Sequence, residues 1–597
     1  MRKSRALWFA ASLALALPAA AAAPEGALRT AQEALARGDG IAAEVALHEA
    51  LGQGVPRGEV APAMGRAAQL QGDFDAAREW LGGGEFASDQ QAYGFHQLAL
   101  LEMAVGDLPA AGQAFEKALA AGAETAEIWV DIGRLHYRNA QHHLALEAAE
   151  KALALDPEHP RAVEFRGQLA RDAQGLKTGL KWFARGLKSN PDDLGLLGEY
   201  AATLGELGRA REMLKVTRRM IEIGNDPRAF YLQAVLAARA GNDELARKLL
   251  WRTNNAFGNV AAGLVLAGVL DLRAGNPGLA LQSLDKLAEM EPNNPQAKLL
   301  LVRALFEDGD YRGVVEDFAA DAARPDASPY LLTLIGRSYE ILGDRGAAAP
   351  FLDRASRPSV SSPLPIDVGE EGRLTLFRYG DDPLRIDVGI ARVRDLLGTG
   401  NLTEAQAAAA ELQRHYPASA DIEILAGDVA LARGDASGAL AQYRSAARIR
   451  RGLSIVERMV AAYRLLGENA AAEAVARDFL AEHPMDGNAA RLVADFALAK
   501  GDWRHAYLLL THARALGGGE RDPVLLADLS RAALEVGDVT TAEEAARAAV
   551  AAQRSNGAAA YALARSLRAN GNESAAQVMF TKARGLGVGA PALLAER

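Results

Sequence analysis

Arginine recurs at one position of a repeating pattern. It stands at Arg66, Arg134, Arg303, Arg337, Arg394, Arg531 and Arg565, each six residues before a turn that is usually Gly followed by Asp or Asn. A guanidinium is a planar fork of donors that holds carboxylates, phosphates and acidic sugars through paired hydrogen bonds. A row of such groups on one face would grip an anionic partner. The competing use at each position is a pair with Asp or Glu of a neighbouring unit. Asp428 and Asp495 occupy the same position in later units, so the surface changes sign along the chain. These seven arginines are the candidate partner-binding residues.

Catalytic chemistry has no comparable pattern. There is no Walker-type phosphate loop, no His-Glu-x-x-His and no Gly-x-Ser-x-Gly. The ten histidines are scattered, and the closest group, His136, His142, His143 and His159, reads as packed or solvated side chains rather than a metal site. The chain has no cysteine, which excludes disulfides, thiolate metal sites and a cysteine nucleophile. The remaining place for chemistry is a Pro-rich stretch, 356–385, with Asp367, Glu370, Glu371, Arg373, Asp381 and Asp382. An enzyme, or the subunit of one, would need these groups to converge with strongly shifted pKa values. The expectation is no enzyme, no cofactor and no metal.

The elements that must position the arginines are helices. Gly followed by Asp, Asn or Glu marks turns at Gly38, Gly72, Gly106, Gly241, Gly275, Gly309, Gly343, Gly400, Gly434, Gly467, Gly501, Gly537 and Gly571, with degenerate turns at Ala140, Gln174 and Gly208. The spacing is 34 residues or within two of it, except for 57 between Gly343 and Gly400. Gly suits the left-handed backbone that ends a helix, and Asp or Asn caps the next one. Five residues after most turns stands Ala, with Gly179 and Val314 the departures. A small side chain there lets two helices approach closely. Pro157, Pro191, Pro292, Pro417 and Pro484 stop the second helix of a unit.

The stretch Ala126–Pro157 states the unit most fully, with Trp129, Ile132, Gly133 and Tyr137 on a first helix and Ala145, Ala149, Ala152 and Pro157 on and after a second. On these residues the chain resembles the tetratricopeptide repeat family, exported bacterial type. The resemblance runs from about residue 25 to 585. It implies an all-α fold, a right-handed α-solenoid of about sixteen helix pairs, with first helices lining a concave groove that receives a partner. The expected organisation is a signal peptide at 1–22, an N-terminal block at 23–355, a non-helical insertion at 356–385, a C-terminal block at 386–585 and a tail at 586–597. Within the insertion, Arg373–Tyr379 alternates like a short strand. Gly82–Gly84 and Gly517–Gly519 lengthen two further loops.

Composition supports the helical reading: half the residues are apolar but only 6% aromatic. The net charge of −10 argues against nucleic acid as a partner. Arg2, Lys3 and Arg5 precede an apolar run, Ala6–Leu17, and small residues at Ala19–Ala23, the form of an export signal. Together these predict an exported scaffold, periplasmic or associated with the outer membrane. It would bind a protein or acidic polymer in its groove and serve envelope assembly, secretion or exopolysaccharide export. Membrane contact is expected only through an uncleaved signal or a partner. An anchored assembly factor is the alternative if that segment is retained.

Overall fold

The computed structural model describes residues 24–292, 294–324, 327–356, 368–517 and 522–588. The signal-like segment, most of the Pro-rich stretch including Asp367, Gly518 and Gly519, and the end of the tail lie outside the described residues. The described residues form 33 helices and no strand, an all-α solenoid. Ten helix pairs precede the helix Gly369–Tyr379 and six follow it, which gives the sixteen pairs expected from the turns. Contacts divide the chain into two compact units, one up to Leu135 and one from His136 on.

Each pair is built as its residues dictate. The turn glycines take φ between 71° and 92°, and Ala140 takes 54°. At the second degenerate turn the positive φ falls on Gly175 rather than Gln174, because Gly adopts it without the Cβ penalty. The acid after the turn caps the second helix: Asp39, Asp73, Asp107, Asp435 and Asp538 each accept a backbone N–H three residues on. The small residues at Ala43, Ala77, Ala111, Ala145, Ala246, Ala280, Ala405, Ala439, Ala472, Ala506, Ala542 and Ala576 are completely buried. A Cβ on Gly179 would meet that of Arg171 at 2.6 Å. Val314, the bulky departure, is buried as well.

A second close approach was not read from the sequence. Gly167, Gly268, Gly336 and Gly427, on first helices, each face a large side chain sixteen residues on: Phe183, Leu284, Leu352 and Tyr443. A Cβ on any of the four would come within 2.4–2.6 Å of it.

The insertion departs from the expectation of a non-helical segment. Gly369–Tyr379 is a helix, not a strand, and it packs on the following helix, Ile386–Gly398. Seven alternating residues do not separate period 2 from period 3.6. With no strand beside it to complete a ladder, the backbone satisfies its own hydrogen bonds as a helix.

Within the second unit, segments far apart in sequence meet. Gln553, fully buried, donates to the carbonyl of Leu352 at 3.1 Å and accepts from the Thr333 hydroxyl at 3.3 Å. The amide N–H of Arg451 donates to the carbonyl of Asp172 at 2.8 Å. That of Ala420 donates to Nδ1 of buried His142 at 3.4 Å. These polar meetings join helices that the 34-residue period keeps separate.

Candidate partner-binding site

The seven predicted arginines do not form one row of equivalent groups. Arg66, on Arg57–Gln71, and Arg134, on Ala126–Arg138, are half-buried and belong to the first unit, and the other five belong to the second. Arg303 turns back on its own helix, with Nε 2.8 Å from Glu307. Arg337 donates to the carbonyls of Ala551 and Ala552, both at 3.4 Å, and so serves the C-terminal end of the helix Val539–Ala552. Arg531 lies 3.7 Å from Asp528 and over the Trp503 ring, and Arg565 pairs with Glu535 of the preceding unit at 2.9 Å.

Arg394 differs. It is solvent-exposed and has no ion pair among the described residues, yet the surrounding protein lowers its pKa. Asp428 and Asp421 pull against that shift, while Arg458 and Arg324 add to it.

Charged groups continue along the first helices that follow: Ala420–Ala432, Leu453–Leu465, Gly487–Lys500 and Pro523–Glu535. Glu457 and Asp495 are both exposed, and burial by surrounding protein raises both above the usual carboxylate range. Asp528, half-exposed, is raised to about 6, chiefly by burial and further by Asp495 and Asp522. Between these groups stand internal pairs. Arg458 takes both oxygens of buried Asp428, at 2.8 and 3.2 Å, and the Tyr443 hydroxyl donates to the same carboxylate at 2.8 Å. Arg491 Nη1 binds Asp522 at 2.6 Å, while Asp522 also caps the helix Pro523–Glu535.

The arrangement offers charged groups of both signs from consecutive helices, with their neighbours already satisfied. It suits recognition of polar and charged groups on a partner. No nucleophile stands against a base here, and the described residues hold no cluster of three potential metal ligands. Of the predicted positions, Arg394, Asp428, Asp495 and Arg531 take part. Glu457, Arg458, Arg491 and Asp528 were missed. The helical period had a signal for them: Arg491 and Asp495 are four apart, and Asp528 and Arg531 three apart, so each pair shares a face. In the Pro-rich stretch, Arg373, Asp381 and Asp382 are exposed, and the side chains of Asp367, Glu370 and Glu371 lie outside the described residues.

Comparison with known proteins agrees with the fold. A tetratricopeptide repeat family profile matches residues 96–139, 130–193, 265–330, 390–453 and 527–577. No curated protein matches the chain. Among solved structures, it is similar to a chain of the APC/C hetero-tetramer Cut9-Hcn1, with 13% identity, 95% of this chain and 94% of that one covered, and a TM-score of 0.36. A tetratricopeptide repeat protein from Parabacteroides merdae shares 19% identity over 47% of this chain and 99% of its own, with a TM-score of 0.31. The pilF protein of Pseudomonas aeruginosa shares 16% over 35% and 96%, with a TM-score of 0.29. Repeat spacing, helix pairs and family profile agree, and the chain is a tetratricopeptide repeat protein, with the architecture of a scaffold for protein–protein interaction.

Proposed function

We propose that this chain is an exported, non-enzymatic scaffold whose first helices from Ile386 to Glu535 receive a protein or acidic-polymer partner, in envelope assembly, secretion or exopolysaccharide export. The observation that supports this reading most is the series Arg394, Glu457, Asp495 and Asp528. These charges of both signs stand on first helices between Ile386 and Glu535, Arg394, Glu457 and Asp495 exposed and Asp528 half-exposed, where a partner of complementary charge can reach them. The basic and apolar N-terminal residues support export.

The test is affinity capture from the native envelope with the parent chain and an Arg394→Glu, Asp495→Lys variant. A partner captured by the parent should be lost at least tenfold from the variant while helicity is unchanged. Equal capture by the folded variant rejects the site. Sequencing the mature N-terminus tests export separately. A start near residue 22 is expected, and an intact Met1 in the membrane fraction would exclude a soluble exported chain.

A further inference from the structure

The second helices of three consecutive pairs carry positive charge on their outer faces. The helix Leu176–Ser189, LKTGLKWFARGLKS, has no acid at all. Its Lys177, Lys181, Arg185 and Lys188 are exposed, and the helical period sets them within one stripe, opposite buried Leu176, Leu180 and Phe183. The next second helix, Ala210–Gly224, exposes Arg211, Lys215 and Arg218 on one face, while its two acids, Glu212 and Glu222, pair with Arg209 and Arg219. The third, Asp243–Trp251, ends in Trp251, which is 81% exposed. Trp251 shares a shallow hollow of about 410 Å³ with Arg247, Lys248 and Arg252.

Each of these helices packs against the first helices on either side of it, so the three stripes follow one another along one side of the stack. Residues 161–252 hold 17 Lys and Arg against 11 Asp and Glu, in a chain whose net charge is −10. The acids of this region are largely used: Glu199 by Arg171, Asp192 by Arg219, Glu212 by Arg209 and Asp226 by Arg228. The seven stripe residues have no ion pair among the described residues.

We propose that this face docks on an anionic lipid bilayer. Two observations favour a bilayer over an acidic protein or polysaccharide. Seven exposed cations, four Lys and three Arg, are spread over two consecutive second helices, the distributed charge that an anionic surface matches. The face ends in an exposed indole among cations, the residue type that enters the interface between headgroups and acyl chains. The contact lies on the surface, since no helix among the described residues is long and apolar enough to cross a membrane. This role departs from the expectation of membrane contact only through a signal or partner, and it does not depend on the first-helix site.

The test is flotation of the full chain with vesicles of phosphatidylcholine containing about one third phosphatidylglycerol, against phosphatidylcholine alone, at low and high salt. The apolar segment 6–17 adds the same background to every chain compared. Phosphatidylglycerol-dependent binding that falls with salt is expected. The variant Lys177→Glu, Lys181→Glu, Arg185→Glu, Lys188→Glu should lose at least several hundredfold in partition, since each cation near such a surface contributes about fivefold. Trp251→Ala should lose several-fold at moderate salt. Circular dichroism of both variants should match the parent. Absence of phosphatidylglycerol dependence, undiminished binding by the folded quadruple variant, or unchanged partition of Trp251→Ala overturns the proposal. Loss of binding to a soluble polyuronate or acidic peptide, with none to vesicles, reassigns the face to that polymer and also overturns it.

Discussion

Replacing Asp528 by Asn removes a carboxylate that the fold holds in unfavourable surroundings. Its pKa stands at about 6 instead of 3.8, chiefly because burial among the first helices strips water from it. Asp495 and Asp522 reinforce that effect, and Arg531 and Arg491 oppose it. The folded chain therefore binds this proton more tightly than the unfolded chain does. Below about pH 4 both states are protonated and the group costs nothing; the cost grows through about pH 6 and is complete above it. A displacement of about two pH units corresponds to at most about 3 kcal/mol. The side chain retains 32% exposure, and solvent screening reduces this to about 1–2 kcal/mol. Asp528→Asn should then stabilise its own repeat at pH 7.5 by that amount and change nothing at pH 4. Repeat arrays open in parts, so the measurement must be local. Hydrogen exchange of the helix Pro523–Glu535 in parent and variant, compared at each pH, reads it directly. Equal protection at pH 7.5, or an advantage that persists at pH 4, would refute the reasoning.

Two further outcomes follow from close contacts. Gly427→Ala puts a Cβ within 2.4 Å of the buried Tyr443 ring, and should cost about 1–3 kcal/mol and loosen the Tyr443–Asp428–Arg458 cluster. Urea titration followed by local hydrogen exchange measures this, with Gly452→Ala, where nothing lies within 4 Å, as the unaffected control. Burial lowers the pKa of His142, with Arg450 in the same direction and Asp421 and Asp172 against it. The open state then binds more protons than the closed one, so the meeting of His142 with Ala420 is at full strength above about pH 6.5 and weakens as pH falls below it. Exchange at Ala420 should accelerate between pH 7 and 5 relative to that at Ala439, and His142→Gln should abolish the difference.

Most of the local architecture was legible because it is local. A turn glycine, the acid after it and an alanine five residues on act within one helix pair, through backbone conformation, capping and the distance between two axes. The count of sixteen pairs follows from those three requirements. Arg373–Tyr379 was misread because its alternation is too short to fix a period, and the choice fell to the neighbouring helix.

The site was legible in part. The helical period located Arg394 and Asp495 correctly on first helices, but it treated all seven arginines alike. Their fates differ because partners differ: Glu307 lies one helical turn from Arg303, whereas Arg337 reaches carbonyls more than two hundred residues away. No repeat period encodes that second kind of neighbour. The meetings of Gln553 with Leu352 and of His142 with Ala420 depend on how many successive pairs accumulate small rotations. Desolvation of Glu457, Asp495 and Asp528 likewise depends on the protein mass gathered around them. The helices, their pairing and the charge each carries follow from residue order alone. Which charges are spent within the chain and which remain open follows from stacking, because distance and access to water are set by the pairs packed around each group.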